Sequence, residues 1–231
     1  MNTTLKTVLG IVVLAIIGVG VYFLFVSGSN DDTPNDNATL EGNVALVNSK
    51  AITQENFETQ LAGALTSFAS QGADVKNPEI LLQIKTQVLN DLINNELVRQ
   101  NIEKSEIKVS TEDVDREVQI VLDQAGSQEA FEQQLTSAGL TEEQLRSNIS
   151  NQLAIQVYLA QNVDISGITI TDEELQKFYD DSKAAQPDLP PLEEVTDQAR
   201  QQLLTNKQQL LVNEFIATLR EEADVETTPL E

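Results

Sequence analysis

The folded part of the chain is predicted to begin with the stretch Asn43 to Phe57, NVALVNSKAITQENF. Its apolar, β-branched start is typical of a short strand. Ser49 and Lys50 follow as a turn, and Thr53 is placed to cap the N-terminus of a helix. The stretch therefore predicts a strand, a turn and a first helix, whose apolar residues keep helical spacing until the chain approaches Gly72.

Further helix start signals follow along the chain. Pro78 stands at the first position of a long apolar-striped helix, where proline is favoured because its missing N–H is not needed. The caps predicted for the next helices are Ser110, Ser127, Thr141 and Thr171. After a break rich in proline, Leu192 begins a last helix of about thirty residues. These signals predict a chain that is mainly helical.

Two short β-type runs lie at opposite ends of this helical region. We expect Val44–Val47 to pair with Ala223–Val225, which would bring both ends of a single domain over residues 43–226 together. The predicted fold class is therefore mainly α: several helices packed on one another, with at most a two-stranded β ribbon. Residues 227–231 are expected to form a tail.

The N-terminal region contains an uncharged apolar run, TVLGIVVLAIIGVGVYFLFV, over residues 7–26. About twenty apolar residues span the hydrocarbon core of a bilayer as a helix. The run therefore predicts a transmembrane signal anchor, with residues 1–6 in the cytoplasm and residues 27–42 as a flexible acidic linker outside it. A signal peptide cleaved near Val26–Gly28 remains the alternative, although the run is longer than most such segments.

Charge and composition exclude several classes of function. The chain has 37 acidic and 14 basic residues, a net charge of -23, which is unsuited to nucleic acid or anionic lipid surfaces. It contains no histidine and no cysteine, so the common catalytic triads, the usual zinc ligand sets and thiol redox chemistry are absent. Contact with a membrane is expected only through the N-terminal helix.

Paired carboxylates are the nearest approach to a catalytic pattern. They are Glu112-Asp113, Glu142-Glu143, Asp172-Glu173-Glu174 and Glu193-Glu194. Each set falls in the first turn of a predicted helix, where free N–H groups and the helix dipole favour acids. No glycine-rich phosphate loop is present. The residues predict no catalytic, cofactor or metal site and no small-molecule substrate.

Five segments of the chain follow one another in a recognisable order. They are VALVNSKAITQENFETQL, ILLQIKTQVLNDLINNELVRQNIEKSEIKVSTEDVDREV, GLTEEQLRSNISNQLAIQVYL, ITITDEELQKFYDDS and LEEVTDQARQQLLTNKQQLLVNEFIATLREEADVE. In this order they resemble the SurA-type N-terminal chaperone domain: its first strand and helix, its following helices and its returning C-terminal helix and strand. The resemblance covers residues 43–226.

The proline-rich break occupies a particular place in that resemblance. In SurA-like and PrsA-like foldases, a parvulin prolyl-isomerase domain usually lies between the helices that resemble DEELQKFY and LEEV. Here only Lys183–Pro191, nine residues, fill that place, and nine residues cannot fold into a domain. Parvulin active sites also typically include histidines. The resemblance therefore implies the chaperone part without the isomerase.

Two functional hypotheses follow. The first is a membrane-anchored extracytoplasmic chaperone that holds unfolded or extended polypeptides in a cleft between the N-terminal helices and the long C-terminal helix, without a cofactor. The second is a non-enzymatic envelope scaffold for one dedicated protein partner. The sequence does not separate client-binding apolar residues from core residues, so no client-binding residue is assigned. An enzyme of another type has no motif to support it.

Overall fold

The computed structural model describes residues 39–230. The predicted transmembrane helix at residues 7–26 and most of the predicted linker lie outside these residues. Within the described part of the chain, no helix is both long and apolar enough to cross a membrane. The described residues form two units: a sheet unit of residues 39–158 and 216–230, and a hairpin unit of residues 159–215.

A three-stranded antiparallel sheet lies in the sheet unit. Its strands are β1 (Asn43–Val47), β2 (Lys50–Thr53) and β3 (Val225–Thr227), in the order β2-β1-β3. The prediction of a two-stranded ribbon was therefore wrong by one strand. Asn48 and Ser49 both have positive φ, 49° and 67°, as in the tight hairpin turns that return a chain directly onto the preceding strand.

The predicted pairing of the two ends of the helical region is confirmed, with a shift in register. Val47 lies opposite Val225, and Ala45 lies opposite Thr227. Strand β3 begins at Val225 rather than at Ala223, because the N–H of Ala223 still bonds to the carbonyl of Arg220 at the end of the preceding helix. The last helical turn thus continues further than the sequence predicts.

The helices of the sheet unit begin at the predicted caps. They are α1 (Gln54–Ser70), α2 (Pro78–Lys104), α3 (Thr111–Ala125), α4 (Gln128–Ser137) and α5 (Glu142–Asn162), whose last residues pass into the hairpin unit. The side chains of Thr53, Ser110 and Ser127 each accept a backbone N–H of the first turn, as expected. Helix α3 ends at Gly126, whose φ of 81° is readily adopted only by glycine.

The main core of the sheet unit lies where β1 packs against α1 and α2. Its buried members are Val44, Ala45, Val47, Ile52, Phe57, Ile84, Val88, Leu89, Leu92, Ile93 and Leu97. Six of these residues lie on α2 and keep helical spacing, so one face of α2 carries much of this core.

The hairpin unit contains α6 (Asp172–Ala185) and the first part of α7 (Leu192–Glu221), joined by the proline-rich segment. Thr171 and Glu174 form a capping box at the start of α6, as predicted. The Tyr179 hydroxyl donates to the carbonyl of Pro190 at 2.8 Å, and Lys183 Nζ donates to the carbonyl of Leu189. Side chains of α6 therefore hold the connecting segment in place.

Candidate functional site

The acidic pairs singled out in the sequence lie in the first turns of α3, α5, α6 and α7, as predicted. The hydroxyl of Ser110 donates to Asp113, and this bond, with Arg116 beside it, lowers the pKa of Asp113. Lys207 donates to Glu174 at 2.6 Å and lowers the pKa of that carboxyl. These acids stabilise helix ends and ion pairs.

The same carboxylates do not assemble into a metal site. Among residues 39–230, no group of three or more acidic, histidine or cysteine side chains has the geometry to hold a metal ion.

A shallow depression of about 650 Å³ lies along one exposed face of α2. Leu82 is the single apolar residue of its lining, beside Glu79, Gln83, Thr86, Gln87, Asn90 and Asp91. Asn90 Oδ1 also accepts a hydrogen bond from Arg220 at 3.0 Å. Burial raises the pKa of Asp91. With one large apolar side chain, the depression offers a single apolar anchor to a bound polypeptide segment.

A better candidate is the surface of helices α3, α4 and α5, residues 110–158, which we call the three-helix lobe. One apolar cluster in it is centred on the buried residues Val114, Val118 and Phe131. Around them lie partly buried apolar residues, namely Val109 just before the lobe and Val121, Leu122, Ala125, Leu135, Leu145, Ile149 and Leu153 within it. Arg146 on α5 donates to Asp115 on α3 at 2.6 Å, which joins the first and last helices of the lobe.

The lobe differs from the main core in how completely its apolar side chains are covered. In the lobe's cluster three apolar residues are buried, and seven residues of the lobe together with Val109 are partly buried; in the main core eleven are buried and nine are partly buried. The lobe also carries Ile120 and Val157, which are 48% and 39% exposed. Only two other large apolar side chains of the described residues, Leu82 and Leu210, are this exposed. The apolar cluster of the lobe is thus less completely buried than the main core.

Sequence reasoning did not identify Ile120. The apolar stripe predicted for α3 consists of Val114, Val118, Val121, Leu122 and Ala125, and these residues face the lobe's core. Ile120 falls outside that stripe, and an apolar residue off the buried face was the available signal. Val157 continues the apolar spacing of Leu145, Ile149 and Leu153 on α5, which predicts a buried side chain, but the structure exposes it. The predicted client cleft involves helices of both units and stays a prediction.

Comparison with known proteins gives the family. The family model described as "SurA-like N-terminal domain" matches residues 1–159. The "Foldase protein PrsA" of Clostridium perfringens is 28% identical over 172 residues, which cover 71% of this chain and 50% of that protein. The protein of the same name from Clostridium tetani is 31% identical over 176 residues, covering 71% and 51%.

A third relative has a different name from the first two. The "Chaperone SurA" of Saccharophagus degradans is 24% identical over 159 residues, covering 68% of this chain and 36% of that protein. The chain thus spans about half the length, or less, of these curated relatives. The resemblance inferred from the order of strands and helices is confirmed. Since the family model covers well over half of its 231 residues, this chain belongs to the family of SurA-like N-terminal domains.

Proposed function

We propose that this protein is a membrane-anchored extracytoplasmic chaperone that holds unfolded or extended polypeptides without isomerising their prolines. The observation that carries the proposal is the small apolar cluster of the three-helix lobe, most of whose members are only partly buried, in a chain whose relatives are named foldase and chaperone. An exposed apolar patch on a soluble domain marks a place where a partner covers it.

The lobe suits weak, reversible holding. Covering one large apolar side chain contributes about 1.5–3 kcal/mol at most, and ordering the client chain offsets much of that. A single exposed side chain such as Ile120 or Val157 therefore gives little affinity, and the partly buried apolar residues of the lobe would have to contribute as well.

The segment between α6 and α7 supports the absence of isomerase activity. Residues 186–191 connect the two helices, at the place where the family resemblance would put a parvulin domain. Six residues are far too few for a catalytic domain, and the chain contains no histidine. We therefore expect the protein to hold clients without catalysing the isomerisation of their prolines.

The anchor is proposed from the apolar run at residues 7–26. In a cell fraction, the full-length chain should stay with the membrane after extraction with alkaline carbonate. A shortened soluble form that begins near Ser29 would instead support a cleaved signal peptide. Protease added outside the cytoplasmic membrane should digest the part that follows the run.

The test of the holding activity uses the full-length chain in lipid nanodiscs, with empty nanodiscs as the control. Chemically unfolded clients of unrelated sequence are diluted into each sample, and aggregation is followed by light scattering. We expect suppressed scattering for several clients. The cis/trans exchange of a proline peptide, followed by NMR, should stay at its uncatalysed tens to hundreds of seconds.

Two other outcomes would contradict parts of this proposal. Acceleration of the proline exchange would show that the segment at residues 186–191 was wrongly interpreted. The dedicated scaffold would be favoured if the protein suppressed the aggregation of none of the clients and bound one folded envelope protein tightly.

A further inference from the structure

We infer that the outer edge of strand β3 binds an extended segment of a client polypeptide as a fourth strand of the sheet. This inference rests on the proposed holding function and names a contact that holds clients of unrelated sequence. The observation that carries it is a set of backbone hydrogen-bonding groups on Val225 and Thr227 that point away from the sheet.

The direction of these groups follows from the hydrogen bonds between β3 and β1. At one end of the pairing the N–H of Asn48 donates to the carbonyl of Asp224 at 2.7 Å. At the other end the N–H of Thr228 donates to the carbonyl of Val44 at 3.0 Å. In an antiparallel pair, residues that bond to the partner strand alternate with residues that do not. The even-numbered residues of this segment therefore bond to β1, and the odd-numbered residues do not.

Val225 and Thr227 are the odd-numbered residues of β3. Their N–H and carbonyl groups point to the outer side of β3, which is the last strand of the sheet on that side. Among residues 39–230, no other backbone group bonds to them there. Glu226 and Thr227 are also exposed. Strand β3 therefore offers backbone donors and acceptors to a further strand, and such bonds do not depend on the side chains of that strand.

The open edge is short and has defined ends. Before β3, the N–H of Ala223 still bonds to the carbonyl of Arg220 in the last turn of α7. After β3, the next outward position is Pro229, which has no N–H to donate. Roughly three to five client residues in extended conformation cover an edge of this length. The contact is weak and reversible, because only a few backbone hydrogen bonds form.

The other edge of the sheet is less suitable for a client strand. The odd-numbered residues of β1, Ala45 and Val47, lie opposite Ile52 and Lys50 and face β2. Only Ala51 stands between these two residues of β2 and points outward. Ala51 is partly buried, and β2 passes directly into helix α1. The edge of β3 therefore offers more backbone groups than the edge of β2.

Charge favours a client segment over a second copy of the same strand. If Val225 paired with Val225 or Thr227 of another copy, Glu226 would lie directly opposite Asp224 or Glu226 of that copy. Like charges directly opposite each other destabilise a pair of strands. A client segment with a neutral or cationic residue at this position avoids the repulsion. The expected occupant is therefore an extended polypeptide and not a second molecule of this protein.

Thr227→Pro tests the edge. It removes an outward N–H and places the proline ring on the outer side, while the donors that bond β3 to β1 remain. Thr227→Val is the matched control, because it keeps the N–H in a residue that favours strands. Fluorescence anisotropy measures the binding of a short labelled peptide of alternating valine and threonine to the full-length chain in nanodiscs of neutral lipid. We expect Thr227→Pro to weaken binding about tenfold, and Thr227→Val less than about twofold.

A second measurement leaves the protein unchanged. A peptide of the same sequence with N-methyl groups on three consecutive central residues lacks donors on both of its edges, although its side chains are intact. Its binding to the original chain should be at least about tenfold weaker. Amide hydrogen exchange followed by NMR locates the contact. The unmethylated peptide should slow the exchange of Val225 and Thr227, whereas Glu226, whose N–H faces β1, should change little.

The outcomes that overturn this inference differ from those that overturn the proposed function. If Thr227→Pro binds the peptide and suppresses client aggregation as the original chain does, the edge is not the contact, and the holding function stands. If thermal melting shows that this variant is unfolded, the methylated peptide decides, and equal binding of both peptides would overturn the inference. Suppressed aggregation without any peptide binding would also overturn it. Absence of both would overturn both proposals.

Discussion

Asn48 and Gln100 are joined by a hydrogen bond of 2.8 Å between Asn48 Nδ2 and Gln100 Oε1, although they lie 52 positions apart. Gln100 Nε2 in turn donates to the carbonyl of Val47 at 2.9 Å. Asn48 Oδ1 accepts the backbone N–H of Asp224 at 2.9 Å. One asparagine in the β1–β2 turn thus connects the turn with helix α2 and with the chain that enters β3.

Replacement of Asn48 tests this connection. Asn48→Ala should lower the free energy of unfolding by about 2–3 kcal/mol, because it removes the side-chain hydrogen bonds and places a less tolerant residue at positive φ. Asn48→Gly should cost about 1 kcal/mol less, since glycine adopts that conformation readily. Urea unfolding measures both. Equal costs for the two variants would show that the turn conformation contributes little.

Removal of β3 tests the pairing of Val47 with Val225. A chain that ends at Asp224 should melt at a lower temperature, by about 2–4 °C for each kcal/mol lost. The loss includes the strand's hydrogen bonds and the packing of Val225 and Leu230 on the main core. A chain that ends at Thr228 keeps β3 and serves as the control. If both truncated chains melted alike, the strand would not be the stabilising part.

The ion pair of Lys207 with Glu174 gives a prediction for acid pH. Lys207 holds the pKa of Glu174 below its ordinary value, so the pair stabilises the fold above that ordinary value and the stability is lost as the pH falls through the lowered pKa. Lys207→Met should therefore lower the melting temperature at pH 7, and the difference from the original chain should shrink below about pH 4.

Lys177→Met is the matched control for that experiment. Lys177 pairs with Asp181 within α6, and both side chains are largely exposed, so its loss should change the melting temperature less. A difference for Lys207→Met that persists unchanged at low pH would mean that its hydrogen bond to the carbonyl of Thr169, at 2.9 Å, is the important contact.

Asp91 gives a prediction of the opposite sign. Burial raises its pKa, so the folded state favours the protonated carboxyl and is penalised once the group ionises. Asp91→Asn should therefore increase the free energy of unfolding at pH 7. The gain should fall as the pH is lowered through the pKa of Asp91, where the original chain is protonated as well. Denaturant unfolding at pH 7 and pH 3.5 tests it, and a destabilised variant at pH 7 would contradict it.

Local chemistry made most of the helices predictable. Thr53, Ser110, Ser127 and Thr171 cap helices where the sequence predicts them, because a side-chain oxygen and the N–H groups of the next turn are neighbours along the chain. The proline-rich break was predictable for a similar reason, since proline prevents a helix from continuing through it. These features depend on a few adjacent residues.

The surface that carries the proposed function was less predictable. Val157 continues the apolar spacing of α5, yet it is exposed, because the exposure of a side chain depends on which other helices cover it. Ile120 lies off the stripe of α3, but spacing alone does not show that the neighbouring helices leave it uncovered. The partial burial of the lobe's apolar cluster is a property of packing between three helices.

The amino-acid sequence established the helical class, the helix starts, the terminal strand pairing and the family resemblance, all of which follow from neighbouring residues or from their order. The third strand, the register of β3 and the hydrogen bond between Asn48 and Gln100 became known only from the folded chain. Strand β2 pairs with β1 across a two-residue turn, which the sequence analysis identified only as a turn. The other two features bring together residues that are distant in the chain or depend on where a helix ends. Contacts between distant residues form because the packed core fixes the positions of both partners. Local propensity carries no information about which distant residues will meet.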